Sequence, residues 1–269
     1  AAHLEYHAHI ILQKFLAREL IRISSEIQTK AFDDKTDVED LIEESEEMLF
    51  EIAQRNLEKE VIQIKPVIDE AIQRIQVAAN KQGTSGVPSG FHSLDKITSG
   101  WQKSDLIIIA ARPAMGKTAF VLSMAKNMAV DYNVPVGVFS LEMSSVQLAN
   151  RLIMNVCEID GVKIKNGDLS PYEWDKLDKN IKDLIDAPVF IDDTPSLSIS
   201  ELRSKARRLV KEHKVQCIFI DYLQLMNASE MRFSSREQEV STISRSLKSL
   251  AKELDIPIIA LSQLNRSVE

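Results

Sequence analysis

Glycine is missing from the first 82 residues of the chain, and Pro66 is the lone proline among them. Without the two strongest breakers of regular structure, that stretch can run as helix. Its apolar residues agree, with Ile10, Ile11, Phe15 and Leu16, and later Val67, Ile68, Ala71, Ile72 and Ile75, at helical spacing. Cysteine is scarcer still. Cys157 and Cys217 are far apart and form no Cys-x-x-Cys pair, which excludes a disulfide framework and the common zinc patterns. Cys217 also lies inside the apolar run Val215 to Ile220, as a reduced, buried thiol would. No apolar run approaches the roughly 20 residues of a membrane span, and Ala1-Ala2-His3-Leu4-Glu5 resembles neither a signal nor a transit peptide. The expected setting is the cytoplasm. Positive charge is not in excess either: 33 basic against 40 acidic side chains leave a net charge of −7. Contact with nucleic acid then needs a local basic surface or assembly around the strand.

What is present divides the chain in two. The length of 269 residues suits one large domain and a smaller piece. The acidic stretch Asp33 to Glu47 reads as a solvated helix face, since it has no metal-ligand spacing. His3, His7 and His9 lie close together but lack the further ligands and supporting groups of a zinc site. Composition then shifts at Gly83-Thr84-Ser85-Gly86-Val87-Pro88-Ser89-Gly90, a linker or domain start that puts the boundary near residue 84. Beyond it, β-branched runs at Leu106–Ala110, Val136–Leu141, Val189–Ile191, Val215–Ile220 and Pro257–Leu261 alternate with amphipathic helical segments. The expected class is α/β, a parallel sheet flanked by helices, with function at the carboxyl ends of the strands.

The first strand end carries the strongest signal. Ala110-Ala111-Arg112-Pro113-Ala114-Met115-Gly116-Lys117-Thr118 reads as strand, tight loop and helix start. In such a phosphate cradle the loop amides converge on phosphates, the lysine reaches the terminal ones and the threonine hydroxyl holds magnesium. Ala111 stands where the strict pattern has glycine, which an ordinary negative φ at that residue would permit. After the second run comes Glu142, either the base that orients and deprotonates an attacking water or a carboxylate at the start of a helix. Two runs end in aspartate, Asp192 and Asp221, and either suits a magnesium carboxylate; the turn-like continuation Asp193-Thr194-Pro195 favours Asp221. Gln263 ends the last run, as a γ-phosphate or water contact or as a solvated polar residue. Met226 to Ser234 is a candidate nucleic-acid loop, followed by a capping box at Ser235 to Gln238. The helix after it has the apolar stripe Val240, Ile243, Leu247, Leu250, Ala251 and Leu254. Arg236, Arg245 and Lys248, and the cluster Arg203, Lys205, Arg207, Arg208 and Lys211, read as surface cations on solvated helix faces.

Taken together, Ser85 to Gly90 with Leu94-Asp95, Gly100-Trp101, Ala110 to Thr118, Phe139 to Met143, Ile220 to Leu225 and Leu261 to Arg266 closely resemble the bacterial replicative hexameric DNA helicases of the DnaB type. Proteins of that type often carry alanine at the position of Ala111. The resemblance implies a helical remnant of the amino-terminal domain over 1–56, a linker helix and linker over 57–83, and a RecA-like ATPase domain over 84–269, truncated at its carboxyl end. It implies ATP and Mg2+ as cofactors, held by Ala111 to Thr118 with Asp221 supporting the metal. Lys117, Glu142 and Gln263 become the catalytic set, with Gln263 sensing the γ-phosphate. It further implies a homo-hexameric ring that moves 5′ to 3′ on single-stranded DNA and meets a primase and a helicase loader. In that family the arginine finger and a DNA-gripping loop lie beyond the position of Glu269, so weak hydrolysis is expected of this chain alone. The competing expectations are a recombinase- or KaiC-like ATPase, and a nucleotide-stabilised scaffold that recruits primase or loader.

Overall fold

A computed structural model describes residues 2–33, 37–38, 41–42, 44–45, 48–49, 52, 63–80, 84–227 and 236–264. The chain divides into two compact units, Ala1–Ile75 and Gln76–Glu269. In the first, helix α1 (Ala2–Ala31) runs for 30 residues, as the absence of glycine and proline predicts. The described residues between 38 and 52 are also helical. Ile23 and Leu41 are buried there. Helix α2 (Ile64–Asn80) carries Pro66 in its first turn, where a missing N–H costs no helical hydrogen bond, and passes into the second unit. Its stripe of Val67, Ile68, Ile72 and Ile75 is exposed.

Within the second unit, residues Gly86 to Trp101 form a clasp. Val87 and Trp101 exchange backbone hydrogen bonds of 2.9 and 2.7 Å, and the Gly86 amide donates to the Ser99 carbonyl at 2.9 Å. A Cβ on Gly86 would sit 2.5 Å from the Trp101 carbonyl oxygen, so only glycine lets the strands approach so closely. Behind them, the buried Asp95 of helix α3 (His92–Thr98) accepts from the Ser89 amide at 2.7 Å.

Among the described residues five strands then form one parallel sheet: β1 (Leu106–Ala111), β2 (Val136–Ser140), β3 (Val189–Asp192), β4 (Cys217–Asp221) and β5 (Ile258–Gln263). Their spatial order is β1-β5-β4-β2-β3. Each lies within two residues of its expected run, and in β2, β4 and β5 apolar side chains buried on both faces leave little other choice. Alternate residues go to opposite faces. Ile218 and Ile220 join Phe139, Ile258 and Ala260 under helices α8 (Ile199–His213) and α9 (Arg236–Leu254). Cys217 and Phe219 join Val136, Val138, Ile259 and Leu261 under helix α4 (Lys117–Lys126), which continues as a π turn to Asp131, and helix α5 (Ser145–Cys157). Helices α6 (Gly161–Asn166) and α7 (Pro171–Ile185) lie between α5 and β3 in sequence. Both cysteines are free and buried, and burial pushes their thiols up.

The basic residues of α8 differ from expectation. Arg207 Nε lies 2.6 Å and Arg203 Nε 3.7 Å from the carboxylate of Glu253 on α9, while Lys205 pairs with Asp192 at 2.8 Å. These three are half-buried and tie α8 to its neighbours, whereas Arg208 and Lys211 are exposed. Sequence periodicity separates the apolar from the polar face, but not a solvated cation from one that meets a carboxylate far along the chain.

Candidate nucleotide site

The strand order brings the predicted residues together. Read across the carboxyl edge, the sheet presents the loop after β1, Gln263 at the end of β5, Asp221 at the end of β4 and Glu142 just after β2. Asp192 falls on β3, the far edge. Ala111 is the last residue of β1 and pairs with Gln263, so its backbone is extended and alanine fits. The left-handed positions of the loop are Ala114, with φ 61°, and Gly116, with φ 82°. A Cβ on Gly116 would meet nothing within 4 Å, so glycine is favoured there by conformation and not by space. That φ turns the chain into α4, whose amino end has no side-chain cap. By contrast, Ser144, Asp160, Ser170 and Ser198 cap the helices α5 to α8. Uncapped amides of a helix start are the groups an anion binds.

Lys117 Nζ donates to the Ala111 carbonyl at 3.0 Å and stands 6.0 Å from the centre of the Tyr222 ring. Thr118 Oγ1 donates to Asp221 Oδ2 at 2.7 Å. Asp221 is 5% exposed, and its other oxygen, Oδ1, is buried without a hydrogen bond. Burial pushes the Asp221 carboxyl up; the Glu142 charge adds to this, while the Thr118 hydrogen bond and the charges of Lys117 and Arg151 oppose it. Among protein atoms alone, then, this carboxylate lacks sufficient positive charge and has an oxygen to spare. A divalent cation between Thr118 and Asp221 would answer both deficits, and hydroxyl and carboxylate oxygens are the ligands magnesium prefers.

Glu142 is exposed, two residues beyond β2. Ser140, buried beneath it, donates to the Met143 carbonyl at 2.7 Å and accepts from the Met143 amide at 3.1 Å, closing the turn that carries Glu142. The start of α5 is served by other groups: Ser144 and Gln147 form a capping box, and Asp193 accepts from the Ser145 amide at 2.6 Å. Glu142 is thereby outside the helix cap. Asp192 is equally occupied, accepting from Lys205 and from the Thr194 amide at 3.0 Å.

Four contributors lie within stretches singled out in the sequence but had no site role there: Ser140, Asp193, Tyr222 and Gln224. Gln224 Nε2 donates to Ser262 Oγ at 2.9 Å and to the Gln263 carbonyl at 3.1 Å. Position directly after the Asp221 strand was the one available signal. Of the candidate nucleic-acid loop, residues 228–234 lie outside the described residues, as does Ser235 of the expected capping box; so do the side chains of His3 and His9. No described helix is long and apolar enough to cross a membrane.

A phosphate-type loop after the edge strand of a parallel sheet, with acidic and amide side chains on the next strand ends, defines a RecA-like ATPase domain. Two solved structures share the architecture. One, itself an isolated ATPase domain, superposes with a TM-score of 0.70 at 38% identity, covering 77% of this chain and 72% of its own. The other, a DnaB-like replicative helicase whose structure was described together with its interactions with primase, gives 0.76 at 33% identity over 98% of this chain and 61% of its own. The chain belongs to the DnaB-like helicase family, with residues 86–269 matching the DnaB-like helicase C terminal domain. The replicative DNA helicase DnaB of Geobacillus stearothermophilus is 43% identical over the whole of this chain, which spans 60% of that relative's length.

Proposed function

We propose that residues 84–269 are the ATP-hydrolysing motor of a replicative DNA helicase, acting as a homo-hexameric ring on single-stranded DNA in the cytoplasm. The observation that carries this reading is the 2.7 Å contact between Thr118 and the buried Asp221, with Asp221 Oδ1 left unsatisfied beside Lys117 and Glu142. Relatives named as replicative helicases support the motor over a recombinase- or KaiC-like ATPase.

In this reading Thr118 and Asp221 hold Mg2+, which when bound neutralises phosphate charge. The amides of Ala111 to Gly116 and the start of α4 bind the phosphates, and Lys117 turns from the Ala111 carbonyl to the terminal ones. Glu142, exposed on its pinned turn, takes the proton of the attacking water. Gln263, on the strand beside the loop, hydrogen-bonds the γ-phosphate. Residues 1–56 serve as the end of an amino-terminal domain that meets a primase, and 57–83 as the linker helix between the two. A helicase loader is the remaining partner.

Hydrolysis of ATP and separation of a forked duplex, each measured with the protein and its variants, test the motor. Lys117→Ala loses nucleotide binding. Glu142→Gln keeps binding and ring assembly but lowers hydrolysis by about 10²- to 10⁴-fold, with strand separation falling in step. Strand separation at an undiminished rate in Glu142→Gln would replace the motor by a scaffold.

A further inference from the structure

The short 3-10 turn Leu223–Leu225 follows Asp221 and presents Gln224 to the end of β5. The turn is firmly seated. Leu223 and Met226 are each 2% exposed, the Leu225 amide donates to the Tyr222 carbonyl at 3.0 Å, and the Met226 amide to the Leu223 carbonyl at 3.1 Å. From this base the Gln224 amide uses both of its ends on one neighbour. Nε2 donates to Ser262 Oγ at 2.9 Å and to the Gln263 carbonyl at 3.1 Å, while Oε1 accepts from the Gln263 amide at 3.3 Å. On the other flank the Leu264 amide donates to the Ala111 carbonyl at 3.2 Å, the same oxygen that receives Lys117. The main chain of Gln263 is therefore gripped between the phosphate loop and the Gln224 turn.

We propose that Gln224 is a positioning residue: its side-chain amide clamps the main chain of Gln263 and so aims the Gln263 side chain. The inference rests on the reading of Gln263 as the γ-phosphate contact. The physical need is plain, because Gln263 is exposed at a strand end, where side-chain rotamers are many. Fixing its backbone φ and ψ removes part of that freedom before nucleotide arrives, and a displacement of about 1 Å at a reacting group costs up to about 10²-fold in rate. A plain structural brace would stabilise the strand end without regard to which nucleotide is bound. An aiming device affects the γ-phosphate selectively.

Displacement of a fluorescent ADP analogue by ADP and by ATPγS gives the preference for the triphosphate, measured alongside kcat, KM and the melting temperature. Gln224→Ala and Gln224→Glu are each expected to lower both that preference and kcat by about three- to tenfold, the worth of one or two hydrogen bonds, while ADP affinity is unchanged. Gln224→Glu keeps the volume and the acceptor for the Gln263 amide but sets a carboxylate oxygen against the Gln263 carbonyl, so it tests the clamp if Gln224→Ala fails to fold. Gln263→Ala should lower the preference at least as far as either Gln224 variant, and the double variant should lose no more than Gln263→Ala alone. Folded Gln224 variants with the wild-type preference, or a double variant with additive losses, would overturn the clamp while leaving Gln263 as sensor. Gln263→Ala with an unchanged preference would overturn the sensor reading itself, and the clamp with it.

Discussion

Helices α2 and α9 carry the same kind of apolar stripe and meet opposite fates. On α9, Ile243, Leu247, Leu250 and Ala251 are at most 1% exposed, sealed against Ile218, Ile220, Ile258 and Ala260 of the sheet. On α2, Ile72 is 47% and Ile75 67% exposed. Spacing of three and four residues says that a helix has an apolar face; it does not say what covers the face. The α9 stripe is answered within its own unit by strands whose alternate residues are also apolar. The α2 stripe has no such answer among the described residues of this chain; a neighbouring copy in the proposed ring would supply one.

The difference can be broken most decisively at the covered face. Leu247→Ala removes a fully buried side chain and is expected to destabilise the second unit by about 2 to 5 kcal/mol, read from chemical denaturation. Ile72→Ser, at the open face, should change unfolding by less than about 0.5 kcal/mol. It should instead weaken self-association in sedimentation velocity, because the face matters only when a neighbour lies on it. Equal melting losses for the two variants would erase the comparison. The smallest effect sharpens it at an exposed cap of the second unit. A hydrogen bond from Lys163, with others from Ser170, holds the Glu173 carboxyl down at about 2, against an ordinary 4.5. A carboxylate so depressed stabilises the fold above about 4.5 and loses that contribution as pH falls towards about 2. The melting-temperature gap between wild type and Glu173→Gln should accordingly narrow over that window, with no such trend for Ile72→Ser.

Much of the second unit was legible in the sequence because its signals are local. Val, Ile and Phe runs that stand between helical segments have few ways to bury both faces, and Gly116-Lys117-Thr118 carries the signal for the proposed phosphate site within three residues. What was illegible depends on strand order. Asp192 and Asp221 both end a Phe-Ile-Asp triplet, and the turn-like continuation after Asp192 favours Asp221 without showing which of the two lies near Thr118. Their difference is that β4 lies two places from β1 while β3 lies at the opposite edge, so Thr118 reaches Asp221 and Lys205 takes Asp192. Gln224 was overlooked for the same reason: its partners Ser262 and Gln263 come 38 and 39 residues later. The glycine-rich stretch Gly83 to Gly90 was left open in the sequence, as linker or domain start. Glycine marks flexibility or close approach alike, and at Gly86 it marks close approach.

The two aspartates that closed off the far edge of the sheet have one more effect. β3 is an edge strand only four residues long, and Asp192, Asp193 and Pro195 end it. Asp192 reaches Lys205 of α8 on one face and Asp193 reaches the start of α5 on the other, so the strand is stitched to both of its covering layers. An open strand edge invites a strand from another molecule, and short length, negative charge and an imide nitrogen that cannot donate all discourage it. Carboxylates that hold the covering helices to β3 thus also make this edge of the sheet a poor template for a strand from another molecule.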